Sequence, residues 1–163
     1  MNHTAHYDSP LGGITLASDG RALTGLWFDG QKNFGSNLGT PASSPAELPI
    51  FSETRRWLDI YFSGREPDFT PPLLLQGPPF QKQVWLSLLT ISYGQTVTYG
   101  ELARRLGCRS AQAVGGAVGR NPISIIVPCH RVVGANGTLT GYAAGLDRKQ
   151  ALLELEQKNY FAN

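Results

Sequence analysis

Hydrophobic and polar positions alternate differently in the two halves of the chain. In the first half, apolar residues alternate with small or polar ones from Gly12 to Phe28 around Ser18-Asp19-Gly20, which predicts a β-hairpin. Apolar side chains then recur at helical spacing from Ile50 to Phe62, and Leu73 to Leu75 predicts one more strand. Residues 29–49 are rich in Gly, Ser, Asn and Pro and have no periodicity, which predicts a long loop.

The second half has mainly helical spacing. Residues 80–91 place apolar side chains along one face of a helix. Thr98 and Glu101 form a capping-box pattern that opens a short helix ending at Gly107, and Ser110 can cap a second helix reaching about Gly119. Two short helices around a tight turn indicate a helix-turn-helix, with an ordinary packed helix pair as the alternative.

These patterns predict an α+β protein of two domains. Residues 1–79 would form a small β-sheet scaffold domain with one helix. Residues 80–163 would form a mostly helical domain that contains the helix pair. The boundary is placed at Gln76-Gly77-Pro78-Pro79, where Gly and Pro interrupt both the strand-like alternation and the helical spacing of apolar residues.

The distribution of charge along the chain is more informative than the net charge of +2. Residues 1–79 carry five Lys/Arg against eight Asp/Glu, a net charge of −3, whereas residues 80–163 carry nine against four, a net charge of +5. A basic half of this kind is typical of a DNA-facing surface. The alternative is an ordinary solvated basic face.

Several classes of protein are disfavoured by the sequence. No apolar run approaches the ~18 residues that a membrane span needs, and residues 1–7 lack a basic-then-apolar leader pattern. Two cysteines do not make a disulfide framework, and histidines at positions 3, 6 and 130 have no metal-ligand spacing. We therefore expect a cytoplasmic protein with no membrane association, metal or cofactor.

The candidate chemistry lies at Cys129-His130, which Pro128 precedes and which apolar β-branched runs flank on both sides. A thiol beside an imidazole indicates a nucleophile and its base. The alternative is a buried, inert cysteine, which is what most free cysteines are. On the extended segment that the flanking runs predict, neighbouring side chains point apart, so no direct Cys129–His130 hydrogen bond is expected.

The stretch NPISIIVPCHRVVGANGTLTGY, residues 121–142, resembles the active-site segment of the O6-alkylguanine-DNA alkyltransferases, also called methylated-DNA–protein-cysteine methyltransferases. The resemblance covers most of the chain beyond about residue 55 and is loose over the first fifty residues. It implies a ribonuclease H-like N-terminal domain and a winged-helix-like C-terminal domain. Further matching positions are Tyr61–Gly64, Pro71–Leu73, Phe80–Trp85, Tyr93-Gly94, Ala113–Ala117 and Gly141–Leu146.

The resemblance implies four catalytic residues. Cys129 would take the alkyl carbon in an in-line displacement, after His130 removes its proton through a water. Glu156 would orient His130, although an exposed glutamate at the end of a helix, like the nearby Glu154, is the ordinary alternative. Asn121 would brace the backbone around the site, or act only as a turn residue.

The resemblance also implies a set of DNA- and base-binding residues on a helix that enters the minor groove. Tyr99 would crowd the phosphate of the extruded nucleotide and contact its base. Gln112 stands where many relatives carry an arginine that fills the vacated space, and Arg131 is also expected to hold the site together by an ion pair or hydrogen bond. The full set is Tyr99, Gln112, Ala113, Gly115, Arg131, Val132, Tyr142 and Ala143.

The function expected from these residues is DNA repair by a monomer in a single reaction. The alkyl group of O6-alkylguanine, and of O4-alkylthymine, in double-stranded DNA would move to Cys129 and remain there. One alternative is a DNA-damage sensor without chemistry, against which Cys129 argues directly. Another is a cysteine hydrolase, which would turn over repeatedly instead of reacting once.

Overall fold

The computed structural model describes residues 3–35 and 47–161, with only the backbone for residues 158–161. Its α+β class agrees with the sequence prediction: a small antiparallel sheet near the N-terminus is followed by a mainly helical part. No helix in the described ranges is long and apolar enough to cross a membrane.

Three antiparallel strands form the N-terminal sheet in the order β1-β2-β3: β1 (His3–Ser9), β2 (Gly12–Ser18) and β3 (Leu23–Phe28). The predicted hairpin is β2–β3, with a register shift between Ala17 and Ser18. The sequence analysis missed β1, because its half-exposed residues lack an apolar alternation. All six residues of β3 are buried, so this strand is covered on both faces.

Helix α1 (Pro49–Phe62) begins one residue before the predicted range and buries Phe51, Leu58 and Tyr61. The strand predicted at Leu73 to Leu75 is absent as a regular strand. This segment makes only a parallel bridge to Leu23, with Leu23 N–H donating to Pro72 O at 2.8 Å. Pro71 and Pro72 have no N–H to extend the ladder. Residues 36–46 of the predicted loop lie outside the described residues.

The helical part opens with α2 (Pro79–Leu88), which ends three residues before the predicted end. The predicted helix pair follows as α3 (Tyr99–Arg105) and α4 (Ala111–Gly119). The capping box is complete: Glu101 N–H donates to Thr98 Oγ1 and Thr98 N–H to Glu101 Oε1, both at 3.1 Å. The last helix is α5 (Leu146–Phe161).

The cysteine turn and the run before it are not extended, so the prediction of extended runs on both sides was wrong there and correct for Val132-Val133, which form a strand. Cys129 to Arg131 form a 3-10 turn, and Ile125 has a φ of +71°. Two-residue strands β4 (Val97–Thr98) and β5 (Val132–Val133) then pair in parallel. The path of the chain at the cysteine therefore depends on the pairing of β5 with the distant β4. The local apolar pattern does not predict this pairing.

The N-terminal sheet contacts the segment that leads to the cysteine. Leu26 N–H donates to Pro122 O and Ser124 N–H donates to Leu26 O, both at 2.9 Å. One hydrophobic core includes Leu26 of the sheet together with Ile123 and Cys129. The sheet thus holds residues 122–124 directly, and with them the turn at Cys129.

Candidate active site

Cys129 is 6% exposed and lines a cavity of about 430 Å³. The cavity lies between α4, the 3-10 turn and the loop before α5. It brings together six of the residues predicted from sequence. These are Tyr99, Gly115, Asn121, Cys129, Tyr142 and Ala143.

The Cys129 thiol is held mainly in its protonated form. Burial raises its pKa, and this effect outweighs a side-chain hydrogen bond from Asn121 and the positive charge of Lys149, both of which lower it. Because the thiolate is the nucleophilic form, the reaction at this site needs a base.

His130 is fully buried, and its Nε2 lies 2.5 Å from Glu156 Oε2. Burial lowers the pKa of the imidazole more than the nearby carboxylate raises it, which favours a neutral ring. A neutral ring that faces a carboxylate carries its proton on Nε2, which leaves Nδ1 as the acceptor. Nδ1 is buried and has no hydrogen-bond partner among the described residues. The ring can therefore accept a proton at Nδ1.

Glu156 is the fully buried centre of this network. Its carboxylate accepts from Arg131 Nε at 2.9 Å and Nη2 at 3.2 Å, from the Tyr61 hydroxyl at 2.5 Å and from Gly94 N–H at 3.0 Å. Burial alone would raise its pKa, but His130 and Arg131 outweigh that effect and hold the pKa well below the ordinary range. Glu156 is therefore ionised.

Glu154, the alternative partner for the histidine, is exposed and accepts from Gln150 Nε2 at 2.9 Å. Its position on α5 points it away from the buried network.

Asn121 is buried at the start of the turn that precedes the cysteine. Its Nδ2 donates to Val127 O at 2.8 Å, and its Oδ1 accepts from Ile123 N–H at 3.0 Å. One side chain thus closes the loop between residues 121 and 127, which carries the strained Ile125.

Lys149 supports the loop over the cavity from α5. It is fully buried, and its Nζ donates to Thr140 O at 2.6 Å and Gly141 O at 3.2 Å. The same ammonium lies 5.9 Å from the centre of the Tyr99 ring, and burial lowers its pKa to about 8. Lys149 therefore fixes the residues just before Tyr142 and places a cation near Cys129.

Two family models together match nearly the whole chain. The ribonuclease-like domain of 6-O-methylguanine DNA methyltransferase matches residues 2–75, and its DNA binding domain matches residues 79–158. This chain belongs to the 6-O-methylguanine DNA methyltransferase family. Methyltransferase relatives include the methylated-DNA–protein-cysteine methyltransferases of Mycobacterium leprae, 48% identical over 96% of this chain and 93% of the relative, and of Methanosarcina acetivorans, 47% identical over 93% and 96%.

Solved structures of methyltransferases agree with the fold. The O6-methylguanine methyltransferase of Mycobacterium tuberculosis has a TM-score of 0.86 and 46% identity, covering 100% of this chain and 97% of that one. The Mycobacterium tuberculosis protein in complex with DNA also has a TM-score of 0.86, with 47% identity over 96% of this chain and 94% of that one.

Two residues assigned to base binding in this methyltransferase lie elsewhere. Arg131 is buried and donates to Glu156 and, through Nη1, to Ile91 O at 2.7 Å, so it has the ion-pair role and not a base contact. Val132 is fully buried in β5 and does not line the cavity. Its side chain packs into the core, so only its main chain is available for the base contact that the family resemblance implies.

The DNA-facing candidates of the methyltransferase lie on α4. Gln112 and Ala113 are exposed near the N-terminal end of this helix, outside the cavity. Gly115 lies on the cavity side, where an added Cβ would be 3.6 Å from the Tyr99 ring. The helix thus presents one face outward and another to the cavity.

Sequence reasoning missed two members of the methyltransferase site. Tyr61 was interpreted as part of an aromatic core stripe, yet its hydroxyl reaches Glu156 across 95 positions in the chain. Only its place in the family segment Tyr61–Gly64 could have indicated this. Lys149 carried no signal, because a lysine on an amphipathic helix is normally exposed.

Proposed function

We propose that this chain repairs DNA by moving the alkyl group of O6-alkylguanine, and of O4-alkylthymine, to Cys129. The observation that carries the proposal is a fully buried His130, bonded to the Glu156 carboxylate, next in sequence to a free thiol that lines a cavity. The family of the chain and the names of its relatives support the same chemistry.

The proposed step balances in atoms and charge. His130 Nδ1 takes the thiol proton through one water, and the sulfur attacks the alkyl carbon as the bond from that carbon to guanine O6 breaks. The proton then passes from the imidazolium to the leaving guanine, which departs neutral. The ionised Glu156 stabilises the imidazolium while it exists. Asn121 favours the thiolate through its hydrogen bond to the sulfur.

The target atom lies inside a duplex, so the nucleotide must be extruded into the cavity. We propose that α4 enters the minor groove, since its exposed residues Ala111, Ala113 and Gly116 allow close approach of its backbone. Tyr99 would crowd the phosphate at the mouth of the cavity, and Tyr142 and Ala143 would form a wall against the base. The solved relative bound to DNA supports DNA as the partner.

The protein is proposed to act as a monomer in the cytoplasm. Both cysteines are free, and the reaction needs a reduced Cys129, which a reducing compartment maintains.

Incubation with a duplex that contains O6-methylguanine should add one methyl group to each protein chain and then stop. The product is a thioether, and none of the described side chains around the sulfur is placed to remove the alkyl group. Intact-mass measurement followed by peptide mapping should locate the methyl group on the peptide that contains Cys129. Repeated turnover would indicate a hydrolase instead, and tight binding of damaged DNA without transfer would indicate a damage sensor.

Gln112→Arg is expected to tighten binding to duplex DNA and speed repair. A glutamine can fill the space left by the extruded base and hydrogen-bond the orphaned cytosine, but it lacks the charge and planar stacking surface of arginine. Gln112→Ala should slow repair of the duplex without affecting reaction with the free base O6-benzylguanine, which needs no extrusion.

Parallel rate measurements with duplex and free base test this role. Gln112 is exposed outside the cavity, so its removal should not disturb the pocket. Equal losses on both substrates in Gln112→Ala would show that Gln112 supports the fold and has no intercalating role.

A further inference from the structure

The segment after β3 joins the N-terminal sheet to two parts of the cavity lining. Lys32 N–H donates to Ala143 O at 3.0 Å, and the next residue, Asn33, donates from Nδ2 to Gly119 O at 3.2 Å. Ala143 belongs to the loop before α5, whereas Gly119 ends α4. Two successive residues therefore tie together two elements that line the cavity.

Arg148 makes a second connection from α5. Its Nε donates to Leu11 O at 3.0 Å in the turn between β1 and β2, and its Nη1 donates to Ala144 O at 3.3 Å, beside Ala143. The guanidinium also lies 4.6 Å from the centre of the Phe28 ring. Gly12 leaves room for it, since an added Cβ there would be 2.8 Å from Nη2.

The segment that carries these contacts is itself held in place. Gln31 is buried, and its Oε1 accepts from Phe28 N–H at 2.9 Å and lies 3.5 Å from Ser124 Oγ. Asn33 adopts a left-handed backbone with a φ of +62°, which asparagine tolerates better than most residues. The turn at residues 31–33 is therefore held firmly at the end of β3.

Small residues form much of the cavity lining on these two elements, namely Gly115, Gly116, Gly119, Gly141 and Ala143. Apart from Val118 and Tyr142, side chains add little bulk there, so the distance between the two backbones is the main limit on the size of the alkyl group that fits. That distance depends on what holds Gly119 and the Ala143–Ala144 pair.

We propose that Asn33, the Lys32 backbone and Arg148 form a clamp from the N-terminal domain that sets the width of the alkyl pocket. The clamp makes the protein prefer small alkyl groups over bulky ones. Arg148 is a positioning residue, since it acts through the walls of the cavity. Asn33 holds Gly119 and also lines the cavity itself. This inference rests on the proposed function.

The test compares Asn33→Asp and Arg148→Met with the unaltered protein. Asn33→Asp keeps the bulk of the side chain and removes its N–H donor. Arg148→Met keeps an unbranched stem over Phe28 and removes both hydrogen bonds, and Arg148 is not among the residues that line the cavity. Two duplexes of identical sequence, carrying O6-methylguanine or O6-benzylguanine, provide the substrates.

The benzyl-to-methyl ratio of second-order rate constants should rise about two- to tenfold in each variant, the order of effect expected for the loss of one hydrogen bond in Asn33→Asp or two in Arg148→Met. Without the clamp contacts, α4 and the loop before α5 can move apart. The wider pocket then admits the benzyl group and holds methylguanine less firmly. Because the two duplexes share their sequence, any common effect on DNA binding cancels in the ratio. Arg21→Met, at an exposed arginine in the β2–β3 turn, is the matched control and should leave the ratio unchanged.

An unchanged ratio in the folded variants, with both rates reduced alike, or a lowered ratio would overturn the clamp and leave these contacts a role in stability only. Thermal unfolding of each variant identifies the folded ones, and either variant alone decides the outcome. Failure of the unaltered protein to accept either alkyl group would count instead against the proposed function.

Discussion

Cys129→Ser should abolish alkyl transfer and leave the fold and DNA binding in place. A serine hydroxyl is far less acidic than a thiol and a much weaker nucleophile toward an alkyl carbon. Its smaller oxygen still fits the site, because Cys129 belongs to the hydrophobic core and forms no disulfide. Transfer should fall below detection in an intact-mass assay, while a duplex mobility shift remains.

Cys108→Ser is the matched control. Cys108 lies in the turn between α3 and α4, is only partly buried and does not line the cavity; its Sγ lies 3.5 Å from Ser110 O. A hydroxyl can make the same contact, so full transfer is expected. Methyl transfer to the Cys129→Ser protein, or its loss in a folded Cys108→Ser protein, would refute the assignment of Cys129 as the acceptor.

Glu156→Gln should lower the free energy of unfolding by about 3–5 kcal/mol, the typical effect of removing one partner from a buried ion pair. The Arg131 guanidinium would remain buried without its carboxylate. An amide accepts at only one of the two positions. Either His130 and Tyr61, which share Oε2, or Arg131 Nε and Gly94 N–H, which share Oε1, therefore lose their acceptor. Transfer should slow as well, because the imidazole is no longer oriented. Urea denaturation and single-turnover kinetics measure the two effects.

The stability difference should depend on pH in a defined direction. The folded pKa of Glu156 lies below its ordinary value of 4.5, so the ionised carboxylate stabilises the fold fully above that value. This stabilisation is lost as pH falls from about 4.5 toward the folded pKa. The gap between the unaltered protein and Glu156→Gln should therefore stay constant from neutral pH to about pH 5 and shrink in stronger acid.

Glu154→Gln provides the comparison on the same helix. Glu154 is exposed and bonded only to Gln150 among the described contacts, so its change should stay within about 0.5 kcal/mol. Equal destabilisation by both substitutions would mean that the buried network does not depend on Glu156.

Sequence-based prediction worked best where the determining residues are neighbours. The capping box at Thr98 and Glu101 and the cap of α4 at Ser110 are complete within a few positions, and the structure has both. Helix α1 followed its own apolar spacing to within one residue. The edge strand β1 was missed because its partner, not its own pattern, makes it a strand.

The candidate site depended more on distant contacts. The turn at Cys129 was predicted as extended, because the apolar runs around it resemble strands. Its actual shape follows from Asn121 and from the pairing of β5 with β4. Arg131 could not be separated from base-binding residues, since its partner lies 25 positions away on α5. The side-chain chemistry was readable from the sequence, whereas the partners were set by the fold.

The raised pKa of the Cys129 thiol also bears on how long an unused molecule survives. A protein that reacts once can be inactivated by any peroxide or stray electrophile that reaches a free thiolate. A sulfur that is buried and protonated reacts more slowly with such compounds, so fewer molecules are inactivated before they meet an alkylated base. The unused protein thus attacks more slowly but keeps its thiol longer, so that its active thiols are consumed mainly by alkylated bases.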